Sequence, residues 1–456
     1  MPIAIGVGAV ALLAPPRIAR RDTRLLDAAL TASAVAIAIQ LIPLSASLRP
    51  AIAPSSIAYE RIVRLSPAAA SAAPGPITVN RAATWFALLA VAVLLALFWS
   101  ARTAFHRGGV RTTIRGIAVM GAALAPLGAI QHAIAPHRFY GLWISHIPNA
   151  LVYTPFMNRN DFASWLIMAI PLIAGYSIAH VLSRRRSGVP FDPEAAFDDR
   201  TLALGIALIA MTAGVLAAMS RSALIGSGAA LVVFVLLARG RMSRRRLIWL
   251  VAGAVAVVAA AAVYAANVAA LATRVAGAMS EGVGGRVAIW RQTWPMVRDF
   301  WPVGSGVGTY QQVMVLYQTI TPRLFYISHA DNEYLQVLAE GGALVAAPAT
   351  IAVMALAALA IRRLDGDRTS LFWMRAGAAC GMVAVAVQNF FEMTLRVPAN
   401  GVLFAILAAI AVHEGHGDDA APDRGRLRSG QALEGGTAAG RGDARAVPKF
   451  DAGDRP

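Results

Sequence analysis

SHADNEYLQVLAEGGALVAAPATIAVMALAALAIRR, residues 328–363, enters a long apolar run through His329, Asp331, Asn332, Glu333, Gln336 and Glu340. The run from 336 to 361 exceeds the ~20 residues an α-helix needs to cross a hydrocarbon core. In lipid every backbone N–H and C=O must be satisfied within the segment, so such a run predicts a spanning helix. Comparable runs lie at 28–48, 83–100, 114–132, 161–182, 201–219, 222–238, 247–268, 370–390 and 398–413, with a shorter one at 3–14. The 456-residue chain is 57% hydrophobic and 14% charged, which overrides the two or three soluble domains its length would suggest. The expectation is an all-α polytopic membrane protein, with about 10–12 transmembrane helices over residues 1–413.

Charge gives the chain a direction across the membrane. The net charge of +17 is almost wholly arginine, Lys449 being the only lysine. Arg17, Arg20, Arg21 and Arg24 crowd one short connection, and Arg102, Arg107 and Arg111 another. Arg184, Arg185 and Arg186 form a third cluster, Arg239, Arg241, Arg244, Arg245 and Arg246 a fourth, Arg362, Arg363 and Arg368 a fifth. Counting spans between them puts all five on one side, which the positive-inside bias makes cytoplasmic. Such clusters read as topology signals, not as a groove for nucleic acid. The opposite side receives 49–82, 133–160, the turn at 220–221, a long periplasmic loop at 269–335 and the link 391–397. No basic n-region precedes the apolar residues 3–14, so no cleavable signal peptide is read there. Residues 414–456, rich in Gly, Asp and Arg, read as a disordered cytoplasmic tail. A single cysteine, Cys380, excludes an internal disulfide and a Cys-based zinc site.

By this parity Arg221, Arg286, His329 and the stretch from Asn158 to Asp161 share the non-cytoplasmic face, although they lie far apart in sequence. Ser328 with Asp331 three residues on resembles a capping box and predicts a helix from His329. His329, Asn332, Glu333, Gln336 and Glu340 then fall on one helical face, a polar stripe that must turn from lipid toward the bundle or a water-filled cavity. Helix capping and interhelical hydrogen bonds are the plain alternative for this stripe. Arg221, in AMSRSALIG, sits in a tight turn among small residues that let a ligand approach; snorkelling to the membrane surface is its plain alternative.

GGRVAIWRQTWPMVRDFWPVGSGVGTY, 284–310, predicts an amphipathic interfacial helix marked by Trp290, Trp294 and Trp301. Arg286 near its start pairs a guanidinium with free backbone N–H groups, a combination suited to an anion. Gly304, Gly306 and Gly308 lack the βαβ context of a dinucleotide site and predict a tight turn. NRNDFASWL, 158–166, offers Asn158 and Asn160 as polar contacts or as helix caps. His132, His137 and His146 are scattered, and no metal-ligand spacing or GxSxG elbow is present, so neither metal nor cofactor is expected.

These four stretches, NRNDFASWL, MSRSALIG, the 284–310 segment and SHADNEYLQVLAEGG, occur in an order that resembles the O-antigen ligase and polymerase superfamily of bacterial membrane proteins, over roughly residues 150–345. The resemblance implies a metal-independent glycosyltransferase that takes a glycan from undecaprenyl pyrophosphate at the periplasmic face of the inner membrane. The acceptor would be lipid A–core, a growing polysaccharide or another molecule. It assigns Arg221 and Arg286 to the pyrophosphate and a histidine at the mouth of the later span to the acceptor. Arginine suits a polyprenyl pyrophosphate through its fork of donors and permanent charge. Where the family commonly has His-Asn before Tyr-Leu, this chain has Asp331-Asn332, with His329 two residues upstream. His329 or Asp331 is therefore the candidate base, His329 being favoured by its ordinary pKa of about 6.5. Asn332, Glu333, Asn158 and Asn160 are further substrate-binding candidates.

Two other classes compete. A carrier of a small anion would place ionisable groups near mid-bilayer, whereas the predicted span interiors are nearly empty of them. A non-catalytic component of a polysaccharide export assembly leaves the matched arginines without a purpose.

Overall fold

The computed structural model describes residues 2–16, 22–63, 74–144, 152–186, 198–245, 247–248, 252–253, 283–319 and 326–414. Helices α1 (Pro2–Leu13) and α2 (Arg24–Ile39) lead into short α3 (Arg49–Ile52) and α4 (Pro54–Val63). Then come α5 (Arg81–His106), α6 (Val110–Ile134), and a hairpin pairing β1 (Arg138–Phe139) antiparallel to β2 (Trp143–Ile144). Helices α7 (Arg159–Arg186), α8 (Asp199–Ala218) and α9 (Arg221–Ala238) precede α10 (Val283–Asp299) and α11 (Tyr310–Met314). The chain continues through α12 (Glu333–Asp365), α13 (Leu371–Gln388), a 3-10 turn (Thr394–Arg396) and α14 (Pro398–Ala411). Seven of these, α5 to α9, α12 and α13, are long and apolar enough to cross a membrane. The protein is an all-α polytopic membrane protein.

Two expected spans are not found as such. The 28–48 run is helical only to Ile39, because Pro43 supplies no N–H and disfavours helix at the residue before it. The chain turns there, and Leu44 N donates to Gly75 O at 2.8 Å. The 398–413 run is a helix of 14 residues, opened by Pro398. The 247–268 run lies almost wholly outside the described residues, as does the 414–456 tail beyond Glu414. The expected 269–335 loop is described over 283–319 and from 326 onward.

The middle of the bundle is the contact between α7 and α13. A Cβ on Gly175 would strike the Trp373 carbonyl, and one on Gly381 the Met168 carbonyl. Small residues let these two backbones meet, the packing that holds helices together where water supplies no hydrophobic drive. Leu172, Ile173 and Met168 are fully buried beside them. Phe86, Ile209, Val353 and Met354 on the outer helices are exposed, an apolar surface that only lipid tails match.

Helix α12 is broken at Gly342, whose φ of 55° and ψ of −159° are not helical. The break frees carbonyls, and neighbours satisfy them. Glu340 O accepts from Gly306 N and from Gln40 Nε2, both at 2.9 Å, and Ala339 O accepts from Ser305 N at 3.2 Å. Non-helical backbone in a membrane bundle is tolerated where protein groups take up its polar atoms in this way. The two backbone donors come from the glycine-rich turn, where Gly304, Gly306 and Gly308 have φ of 78°, 110° and 91°, and Gln40 follows α2. The tight turn expected from those glycines is present. It forms a brace against the upper part of α12.

Candidate active site

One end of the bundle collects the starts of α7, α9, α12 and α14 with the end of α13. Glu333 N donates to Asn389 O at 3.0 Å, and Asn400 Nδ2 donates to Asp161 O at 3.1 Å, tying these termini together. Arg286, near the start of α10, arrives from the side.

Three side chains from three helices converge on one carboxylate oxygen. Glu392 Oε1, in the link after α13, accepts from Arg286 Nη2 at 2.5 Å, Asn160 Nδ2 at 2.7 Å and Ser222 Oγ at 3.2 Å. The Glu392 side chain is only 7% exposed, whereas Arg286 is 27% exposed and reaches open space. Burial pushes the Glu392 carboxyl up to about 7; Arg286 opposes this, Asp331 adds to it, and the Ser222 and Asn160 hydrogen bonds oppose it. Arg221, the residue before Ser222, opens α9 behind its N-cap Ser220 and is exposed. It makes no ion pair among the described residues. Three donors thus meet on one carboxylate oxygen, with Arg221 next in sequence to one of them at the start of α9.

Beside it stand the candidate bases, and here the expected helix is corrected. Helix α12 starts at Glu333, not at His329. Asp331 has φ of 48°, a left-handed turn that ends any helix running from His329. Asn332, rather than Ser328, is the N-cap, its Oδ1 accepting from Leu335 N at 3.0 Å. His329 therefore stands off the stripe, in the loop leading to it.

His329 is exposed, and its Nδ1 is 2.7 Å from Ser328 Oγ. The dense protein on its inner side lowers its pKa; Asp331 opposes this, Arg396 adds to it, and Glu340 and Glu333 oppose it. The balance favours the neutral imidazole. Burial raises the Asp331 carboxyl above its ordinary value, against the pull of Arg286 and His329. The loop is held by Trp290, whose Nε1 donates to Ala330 O at 3.0 Å, and by Gln336, whose Oε1 accepts from Ala330 N at 2.9 Å.

The lower stripe turns inward as expected. Gln336 and Glu340 are buried. Glu340 Oε1 accepts from Tyr310 N at 3.0 Å and Gln336 Nε2 at 3.2 Å. Arg396 bridges Glu340 Oε2 at 2.8 Å and Glu333 Oε1 at 3.0 Å. Burial works against the Arg396 charge, but Glu340 and Glu333 outweigh it and hold its pKa above the ordinary arginine value.

The structure thus joins Arg286 and Asn160 through Glu392, sets Asp331 within electrostatic reach of both Arg286 and His329, and ties Glu333 to Arg396. Asn158 is exposed, its Oδ1 accepting from Asn160 N at 3.0 Å. Glu392, Arg396 and Ser222 were missed by sequence reasoning. The available signal was two opposite charges in a seven-residue link between apolar runs, where isolated charge is costly. Among the described residues, no group of His, Cys, Asp or Glu is arranged to hold a metal ion.

The fold defines a multi-pass helical membrane protein, with a cluster of charged and polar side chains gathered at one end. Residues 206–350 match the family model Wzy_C, described as O-antigen ligase, which supports a place in the O-antigen ligase superfamily and a glycan-transfer role in polysaccharide biosynthesis. No curated protein matches the chain.

Proposed function

We propose that the protein transfers a glycan from a polyprenyl-pyrophosphate carrier, undecaprenyl pyrophosphate in bacteria, to an acceptor hydroxyl at the periplasmic face of the inner membrane. The observation that carries this reading is the convergence of Arg286, Asn160 and Ser222 on one anion-holding point beside Arg221. The acceptor oxygen attacks the anomeric carbon, and the bond from that carbon to the pyrophosphate oxygen breaks, its electron pair passing to the pyrophosphate. Arg221 and Arg286 stabilise the charge that grows there. His329 or Asp331 takes the acceptor's proton. In the tautomer where His329 Nδ1 donates to Ser328, Nε2 carries the lone pair a base needs, so His329 remains the favoured base. Asn332 and Glu333 shape the acceptor side through the α12 cap and the Arg396 bridge, and Asn158 lies at its rim. No metal or cofactor has a part in these steps.

The test is the surface and carrier-linked glycan of a deletion strain complemented with wild type, Arg286→Ala or His329→Ala, each variant being checked for membrane insertion. Full-length polymer stranded on the carrier identifies a ligase, and single repeats in its place a polymerase. Rescue by wild type alone supports the assignment. An unchanged glycan profile in the deletion strain would overturn it in favour of a carrier.

A further inference from the structure

Glu392 is an odd neighbour for an anion site. Its Oε1 takes three hydrogen bonds, from α10, α7 and α9, which is the pattern a phosphate oxygen would receive. A carboxylate and a phosphate cannot both hold these donors, since two like charges at hydrogen-bonding distance repel strongly. Resting on the pyrophosphate reading above, we propose that Glu392 is an internal competitor at the donor-binding point. Its carboxylate and the incoming pyrophosphate contend for Arg286, Asn160 and Ser222, and the donor binds as the carboxylate lets go.

The surroundings suit such an exchange. Glu392 lies in the non-helical stretch between α13 and the 3-10 turn, so its side chain is not locked by helical neighbours. The stretch is pinned at both sides. Asn389 Oδ1 accepts from Thr394 Oγ1 at 2.9 Å, and Asn389 O accepts from Glu333 N at 3.0 Å. Release therefore needs a change of side-chain rotamer, with the link left in place. The charged and titratable groups facing Glu392 are Arg286 from α10, Asp331 from the loop before α12 and Asp161 from α7. Two of the three are acids, so Arg286 is the only cation among them holding the carboxylate. Burial already disfavours its charge, which makes it a partner that is readily displaced. Glu340 differs: it is held by Arg396, Tyr310 N and Gln336 together and has no such freedom.

The experiment measures binding of farnesyl pyrophosphate to the purified full chain in nanodiscs at pH 8, for wild type, Glu392→Gln, Glu392→Asp and Arg286→Ala. Glutamine keeps the shape and an acceptor oxygen but removes the competing charge, so Glu392→Gln should bind about tenfold tighter, the worth of about one charge-assisted hydrogen bond. Glu392→Asp keeps the charge on a shorter arm that cannot reach all three donors, and should tighten binding by a smaller factor. It also keeps the question answerable if the glutamine variant does not fold. Arg286→Ala should lose binding at least tenfold. Unchanged or weaker binding in both Glu392 variants, with Arg286→Ala still impaired, would overturn the competition and leave the pyrophosphate reading standing. Unimpaired binding in Arg286→Ala would overturn both.

Discussion

Two arginine–carboxylate pairs with buried carboxylates sit at opposite ends of the bundle, and they are built differently. At the end away from the site, Arg102 Nη1 meets Asp27 Oδ1 at 2.6 Å, with side chains 5% and 0% exposed. Asp27 also accepts from Trp99 Nε1 at 3.0 Å and Thr23 Oγ1 at 2.7 Å, and Arg102 Nη2 donates to Thr23. Both carboxylate oxygens are served, and the cluster is closed off from solvent. At the site end, all three donors crowd one oxygen of Glu392, another acid stands nearby, and Arg286 keeps an open side. A closed cluster stabilises a fold. The site-end cluster leaves its arginine partly open to its surroundings.

The contrast can be broken experimentally. Arg102→Ala removes the guanidinium beside a buried carboxylate and should cost about 3 kcal/mol, read as a lower melting temperature in detergent, while transfer per folded molecule is retained. If transfer falls instead of stability, the two ends have been misassigned. Arg286→Ala should do the reverse. Transfer falls by about 100-fold, the usual scale for losing one transition-state contact. Stability falls by about 1 kcal/mol, because the remaining Glu392 carboxyl can take up a proton near neutrality.

The third prediction concerns pH. A carboxyl raised to about 7 is accommodated in its neutral form, so Glu392's contribution to stability is fully present below its ordinary value and is lost as pH rises through about 7. Wild type should therefore lose roughly 2 kcal/mol between pH 5 and pH 8. Glu392→Gln should flatten that slope; an identical slope in the variant would mean that Glu392 is not the group responsible. The smallest effect sharpens the site's edge. Asn332→Ala removes the α12 cap and should cost about 1 kcal/mol. A loss of transfer beyond what this instability explains would show that Asn332 also touches substrate.

The spanning runs and the shared side of Arg286, Asn160 and His329 were legible because hydropathy and parity depend on local composition. The start of α12 was not. Ser328 and Asn332 are both good caps, and the choice fell to Asn332 because Asp331 turns left-handed and Glu333 N finds Asn389 O, a contact 56 residues downstream. Glu392 was hidden for a similar reason: its partner Arg286 lies 106 residues away, and nothing in the spelling of a short link announces that pairing. The glycine turn was read correctly as a turn, but its service as the brace for a broken helix needed the positions of Gln40 and Gly342.

The segment that matches the O-antigen ligase family runs from 206 to 350. Of the four side chains meeting at Glu392 Oε1, Ser222 and Arg286 lie inside it, while Asn160 and Glu392 itself lie outside. The recognisable part of the chain is therefore not a portable module. A chimera that grafts 206–350 onto another membrane scaffold inherits Ser222 and Arg286 without Asn160 and without the carboxylate on which the three donors meet.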